Sequence, residues 1–131
     1  MSTIKMIEYK NASERVKKVY DDIMNRRNTN KVNNIWKALA NHPDLLESTW
    51  FRLKEVMQPG ALDASTKELI YIAVSIANSC GYCVHSHSHA AREKGVTEDM
   101  IQELLEVVSM ASQTNSLANA YQLPIDEFLL K

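Results

Sequence analysis

Residues 68–87 read ELIYIAVSIANSCGYCVHSH. The first half of this stretch is nearly apolar, and its spacing predicts a helix that begins near Asp63 or Ser65 and ends at about Asn78. Ser79 then forms a short turn, and a new helix starts at the Cys-x-x-Cys motif. That helix is expected to end at Gly95, because glycine is favoured just beyond a helix C-terminus. The stretch therefore predicts two consecutive helices joined by a tight turn, with both thiols at the start of the second.

Helix signals continue on both sides of this stretch. Ser13 and Thr97 are good N-cap residues for helices that precede and follow it. Two more helices are predicted around Trp36 and Trp50, which we expect to lie in a core or in a subunit contact. No repeat, low-complexity tract or linker divides the chain, which has only three glycines and three prolines. We therefore predict a single all-α domain over residues 1–131, a bundle of about six to seven helices.

The composition is that of an ordinary soluble globular protein. Among 131 residues, 45% are apolar and 24% are charged, and the formal net charge is −1. This balance gives no indication of nucleic acid or an anionic membrane surface as a partner. The longest nearly apolar run, residues 69–77, is far shorter than the roughly twenty residues of a membrane-spanning helix. The N-terminus carries no recognisable secretory signal, so we expect a cytoplasmic protein.

The chemistry of the chain is concentrated around its two cysteines, Cys80 and Cys83. In a reducing compartment such a closely spaced pair is more often catalytic or metal-binding than a structural disulfide. The first turn of a helix stabilises a thiolate, since its free N–H groups and dipole favour negative charge. His87, one turn beyond Cys83, could exchange a proton with a thiol. Glu68 could orient that imidazole if the two helices fold back on each other.

The same region allows less specific explanations. The two thiols and His87 could bind a metal ion together with a further histidine, although a second ligand pair is absent. Glu68 also fits a Ser-x-x-Glu capping box, in which case it would only close a helix end. His85 and His89 share a helix face away from the cysteines and are expected to be solvated or to lie in an interface. Tyr71 is most simply a packing residue.

The spacing from Glu68 to His87 is Glu-x11-Cys-x2-Cys-x3-His. This pattern resembles the signature of the alkylhydroperoxidase AhpD-like, peroxidase-related branch of the carboxymuconolactone decarboxylase family. The resemblance is tight over about residues 62–97 and extends more loosely upstream to Ile35. It implies an AhpD-like helical bundle whose subunits assemble into homo-oligomers, either trimers or hexamers, with the site in a cleft near a subunit boundary.

The resemblance also implies roles for the site residues. Cys83 corresponds to the thiol that attacks the peroxide and Cys80 to the thiol that resolves the product. Glu68 and His87 correspond to a proton-relay pair. Tyr82 stands where the family's best-known member has a histidine, and a phenol that titrates near 10 is a poor base at neutral pH.

By the same resemblance the substrate is a hydroperoxide, and no cofactor or metal is needed beyond a redox-active Cys80–Cys83 disulfide. Peroxide would oxidise one thiol to a sulfenic acid, and the second thiol would condense with it to form the disulfide. An external dithiol would then reduce the disulfide by exchange. That dithiol could belong to a lipoyl-type or a thioredoxin-like protein.

Two other classes of function stay compatible with the sequence. One is a cysteine-independent decarboxylase-type enzyme that acts on a small acid or lactone, with His87 transferring the proton. The resemblance argues against it, because such family members generally lack the cysteine pair. The other is a metal-binding or purely structural helical oligomer. A general disulfide reductase, for which peroxide is an incidental oxidant, is a variant of the peroxidase hypothesis.

Overall fold

The computed structural model describes residues 1–130, and its regular elements are all helical. Two short 3-10 turns, Tyr9–Asn11 and Glu127–Leu130, lie near the ends. Between them run six α-helices: α1 Glu14–Arg26, α2 Asn34–Leu39, α3 Pro43–Met57, α4 Ala64–Ala77, α5 Gly81–Glu93 and α6 Glu98–Tyr121. The predicted all-α class with about six to seven helices is confirmed.

Polar side chains fix where three of these helices begin. Ser13 caps α1 and Thr97 caps α6, each accepting a hydrogen bond from the backbone N–H three residues further on. Asp63 caps α4 in the same way, with 2.7 Å between its Oδ1 and the backbone nitrogen of Thr66. A cap of this kind satisfies an N–H group that has no partner within the helix. The predicted starts of the helices after Ser13 and Thr97 are therefore confirmed.

The helices form two compact units, and the first comprises residues 1–57. Its core is the buried face of α1, α2 and α3, in which Tyr20, Ile23 and Leu46 are inaccessible to solvent. Trp36 and Trp50 meet edge to face there, with ring centroids 5.2 Å apart. The prediction that these two tryptophans belong to a core is confirmed. The second unit begins at Gln58, and the single domain predicted over the whole chain stays a prediction.

The second unit is built on the hairpin of α4 and α5. Ser79 adopts the left-handed conformation, with a φ of 56°. The N–H of Ser79 donates to the carbonyl of Ile76 over 3.0 Å, and the N–H of Cys80 donates to that of Ser75 over 2.8 Å. This pair of bonds is a Schellman motif, which satisfies the last carbonyls of a helix and reverses the chain. It forms the tight turn that the sequence predicts.

The core of the second unit is small, and α6 covers only part of it. Ile72, Ala91 and Val96 are buried, and Ile101 and Leu104 of α6 pack against them. No residue of α6 is itself fully buried. The large apolar side chains that α6 leaves exposed are Met100, Leu105, Val107, Met110, Leu117 and Tyr121. Among residues 1–130, no helix combines the length and apolar character needed to cross a membrane.

Candidate active site

Glu68 lies on the inner face of α4, with only 4% of its surface exposed. Because Asp63 already caps α4, Glu68 is not required to close the helix end. Its carboxylate instead reaches across the hairpin, where Oε2 lies 2.6 Å from Nδ1 of His87 on α5. The fold-back of α5 along α4 therefore brings together two residues that stand 19 positions apart in the sequence. The orienting role of Glu68, rather than the capping role, fits this geometry.

The second carboxylate oxygen of Glu68 has a partner of its own. Nζ of Lys94 lies 2.8 Å from Oε1. Burial raises the pKa of Glu68, but the hydrogen bonds from His87 and Lys94 outweigh burial and hold the pKa below its usual value. Glu68 is therefore an ionised carboxylate at neutral pH, and it accepts hydrogen bonds through both oxygens. Lys94 was not among the site residues that the sequence predicted.

Tyr71 is a second residue of the site that was not predicted from the sequence. Its ring stacks on the imidazole of His87, with centroids 3.5 Å apart and planes inclined by 18°. Burial raises the pKa of Tyr71, and the nearby Cys83 and Cys80 raise it further. Tyr71 thus lies within electrostatic reach of both thiols while it contacts His87. It follows Glu68 by three positions on α4, so the helical spacing could have placed it on the same face.

The two thiols lie at the start of α5, as predicted. Cys80 is the N-cap residue, and its sulfur accepts a hydrogen bond from the backbone N–H of Cys83, with 3.4 Å between nitrogen and sulfur. Both thiols are free and partly exposed. The thiol of Cys83 also donates to the sulfur of Cys80, which lowers the pKa of Cys80. The same hydrogen bond and burial raise the pKa of Cys83 to about 11.

This arrangement makes Cys80 the thiol of the pair that ionises more readily. Two adjacent sulfurs do not both ionise easily, and the sulfur at the N-cap has the backbone N–H groups to stabilise it. The family resemblance, in contrast, gives the attacking role to Cys83. The division of roles between Cys80 and Cys83 therefore stays a prediction, while their proximity is an observed feature of the fold.

The remaining histidines of α5 lie away from this cluster. His85 and His89 are exposed, in agreement with a solvated or interfacial position. Within residues 1–130, no three side chains of histidine, cysteine, aspartate or glutamate are grouped as a metal ion would require. The cluster itself comprises a dithiol, an imidazole, a buried carboxylate, an ammonium group and a stacked phenol.

The family model of the carboxymuconolactone decarboxylase family matches residues 43–126. The chain belongs to the carboxymuconolactone decarboxylase family. The crystal structure of the alkylhydroperoxidase AhpD core from Rhodospirillum rubrum is 48% identical in sequence, with a TM-score of 0.96 over 100% of this chain and 98% of that one. The predicted AhpD-like fold is therefore confirmed.

Curated relatives match over shorter stretches. Uncharacterized protein 4 in the cox locus of Paracoccus denitrificans is 39% identical over 56 residues, which are 43% of this chain and 50% of that protein. The alkyl hydroperoxide reductase AhpD of Frankia alni is 37% identical over 59 residues, which are 45% of this chain and 31% of that protein. The chain thus covers half or less of the length of these relatives.

Proposed function

We propose that this member of the family is a thiol-dependent peroxidase, which reduces hydroperoxides through the Cys80–Cys83 dithiol. The observation that carries the proposal is the pairing of a dithiol at a helix N-terminus with a buried Glu68–His87 pair on the same hairpin. A thiolate and an oriented imidazole are the two groups that cleavage of an O–O bond requires, namely a nucleophile and a proton carrier. The AhpD names of several relatives support the same chemistry.

In the proposed reaction, a thiolate attacks one oxygen of the hydroperoxide and the O–O bond breaks. The departing alkoxide takes a proton to leave as an alcohol, and the attacked sulfur becomes a sulfenic acid. The second thiol, as its thiolate, attacks the sulfenic sulfur and displaces hydroxide, which leaves as water after protonation. The sum is one hydroperoxide and two thiols converted to one alcohol, one water and one disulfide.

The Glu68–His87 pair would move the protons in these steps. A carboxylate that accepts at Nδ1 keeps the proton of the neutral imidazole on that nitrogen, which leaves Nε2 free as a base. His87 can then take a proton from a thiol and return it to the leaving oxygen. Tyr71, stacked on the ring, holds the imidazole plane in place. Each of these residues thus has a defined part in the proposed cycle.

By resemblance, Cys83 attacks the peroxide and Cys80 resolves the sulfenic acid. The lowered pKa of Cys80 gives it the greater thiolate fraction in the resting pair. Attack by Cys83 would then begin with transfer of its proton to His87 or to the Cys80 sulfur. Cys83→Ser is expected to abolish peroxide turnover, whereas Cys80→Ser permits one oxidation to a sulfenic acid and blocks recycling. The reverse pattern would exchange the two roles and keep the dithiol mechanism.

The cycle needs an external dithiol to return the disulfide to two thiols. We propose a cytoplasmic dithiol protein of the lipoyl or thioredoxin type as that reductant, with no bound cofactor on this chain. We also propose a homo-oligomer, a trimer or a hexamer. Support for it comes from α6, which carries large apolar side chains that the second unit leaves exposed, such as Val107 and Met110.

The test is a count of free thiols on the reduced, chelator-treated protein before and after one equivalent of cumene hydroperoxide. The proposal expects both thiols to be lost, cumyl alcohol to form in equal amount, and both thiols to return with a small dithiol. Two thiols that stay free would overturn it. Activity on a small acid or lactone that survives in a double Cys→Ser variant but not in His87→Ala would instead establish the cysteine-independent alternative.

A further inference from the structure

Glu68 is a buried carboxylate held between two donors of different kinds. Its side chain is 5% exposed, that of His87 is 13% exposed, and that of Lys94 is 37% exposed. His87 contacts one carboxylate oxygen at 2.6 Å and Lys94 contacts the other at 2.8 Å. The charged side chain of Lys94 is thus the more solvent-exposed partner of Glu68, and the imidazole of His87, which can titrate, is the more buried one.

We propose that Lys94 is a positioning residue for this site. It neutralises and orients the Glu68 carboxylate, so that His87 can stay a neutral imidazole with its proton on Nδ1 and its Nε2 free to accept another. Only the use of that free nitrogen at the dithiol rests on the proposed peroxidase function. The state of the His87 ring itself is a property of the hairpin.

The physical reason is the balance of charge around a buried carboxylate. A carboxylate in the interior must be paired with a positive group or become protonated. Without Lys94 the nearest group able to supply that charge is His87, which would have to become an imidazolium. An imidazolium donates from both nitrogens and cannot accept a proton, so it is no longer a base. With Lys94 present, the carboxylate is neutralised and the imidazole does not need to take up a second proton.

The other polar groups around His87 do not replace Lys94. Tyr71, on α4, presents a ring face to the imidazole, and its pKa is raised, so it is uncharged at neutral pH. Cys80 and Cys83, earlier on α5, supply negative rather than positive charge when ionised. Ile101 and Leu104, the residues of α6 that pack against the core of this unit, are apolar. Lys94 is the cation that the structure places on Glu68.

The backbone holds Lys94 in a defined place. It is the C-cap residue of α5, immediately before Gly95, whose φ is 86°. The N–H of Gly95 donates to the carbonyl of Arg92, and that of Val96 donates to the carbonyl of Ala91, in a second Schellman motif. Val96 and Ala91 are buried, which anchors the turn. The ammonium group therefore starts from a fixed backbone position and needs only its own side-chain torsions to reach Glu68.

The experiment compares the His87 imidazole nitrogens by 15N NMR in the reduced full chain and in variants at position 94. Lys94→Met removes the charge and keeps most of the stem, Lys94→Gln keeps a hydrogen-bond donor without charge, and Lys94→Arg keeps the charge. Lys37→Met is the matched control, because Lys37 and Glu8 form an ion pair of the same 2.8 Å length in the other unit.

At pH 7.5 the proposal expects the wild type, Lys37→Met and Lys94→Arg to show a neutral ring protonated at Nδ1. Lys94→Met and Lys94→Gln should show an imidazolium, with a proton on both ring nitrogens. Peroxide turnover should fall about tenfold in these two variants and recover in Lys94→Arg, since part of the acid–base contribution is lost. If Lys94→Met does not fold, the comparison is made with Lys94→Gln.

An unchanged His87 ring in both uncharged variants would overturn the proposal. So would an equal spectral change in Lys37→Met. The ring measurement does not require peroxidase activity, so failure of the thiol assay with cumene hydroperoxide would refute the proposed function and leave this inference to be judged by NMR alone. A turnover loss in Lys94→Arg as large as in Lys94→Met, with a folded protein, would also contradict a role that depends on charge.

Discussion

Replacement of Glu68 by glutamine tests the hairpin site most directly. The change keeps the shape of the side chain but removes its charge, and it turns one of two acceptor oxygens into a donor. In the wild type those oxygens accept from His87 at 2.6 Å and from Lys94 at 2.8 Å. Glutamine can satisfy only one of these donors. The other donor faces an amide N–H2 group, and the ammonium group or the imidazole loses its partner.

The expected loss of stability follows from these contacts. Removal of one partner from a fully buried ion pair costs about 3–5 kcal/mol. Here 37% of the Lys94 side chain is exposed, so water can solvate the ammonium group once it is released. Glutamine also keeps one hydrogen bond. We therefore expect Glu68→Gln to lower the free energy of unfolding by about 1–3 kcal/mol at pH 7, and to lower peroxide turnover by about 100-fold or more.

The loss of stability should depend on pH in a defined direction. Burial raises the pKa of Glu68, but the hydrogen bonds from His87 and Lys94 place it below its usual value. The ionised carboxylate therefore stabilises the folded chain fully above the unfolded-chain pKa of about 4.3. This contribution disappears as the pH falls through the lower pKa of the folded state. The difference between Glu68→Gln and the wild type should accordingly shrink in acid.

Urea unfolding at pH 7 and at a series of acid pH values measures this difference. Glu98→Gln is the matched control, since Glu98 pairs with Arg92 over 2.6 Å at the surface, with 72% of its side chain exposed. Such a pair contributes about 0–1 kcal/mol. The reasoning is refuted if Glu68→Gln costs no more than Glu98→Gln, or if its cost is the same in acid as at pH 7.

Three further outcomes are expected. Iodoacetamide at pH 7 should modify Cys80 faster than Cys83, because the pKa of Cys80 is lowered and that of Cys83 is raised to about 11. Peptide mass spectrometry would show the order of modification, and the reverse order would contradict the assignment of the thiolate to Cys80. Tyr71→Phe should keep most of the peroxide turnover because the stacked ring is retained, whereas Tyr71→Leu should lower turnover about tenfold. Equal rates in the two variants would exclude a role for the stacked ring. Ser79→Gly should raise the free energy of unfolding by up to about 1 kcal/mol, while Gly95→Ala should lower it by about as much, since both residues have left-handed backbone conformations. Thermal melts in which the two variants shift the melting temperature in the same direction would contradict this.

Local signals made much of the fold predictable from the sequence. An N-cap such as Ser13 or Thr97 acts on an N–H only three residues away, so the helix start can be located without knowledge of the tertiary structure. The start of α4 was harder, because Asp63 and Ser65 are both good caps within three residues. The structure uses Asp63, and this choice leaves Glu68 free to face α5.

The site was predictable to the extent that it follows the helical repeat. Cys80, Cys83 and His87 fall on one stripe of a helix, so their proximity could be expected. The contact between Glu68 and His87 depends on how tightly the chain turns after α4, which the sequence permitted but did not determine. Lys94 was missed because the direction of a long, flexible side chain depends on the turn that begins at Gly95. Its charge alone gave no indication of an inward partner.

One feature of the hairpin links its redox state to the local order of a helix. The backbone N–H of Cys80 closes the last turn of α4, while its sulfur accepts the Cys83 N–H at the first turn of α5. A sulfur that has entered a disulfide, within the pair or with a reductant, no longer carries the negative charge that makes it a good acceptor. The Cys83 amide then loses its partner and exchanges with solvent more readily. Deuterium uptake at this single amide should therefore follow the oxidation state of the dithiol.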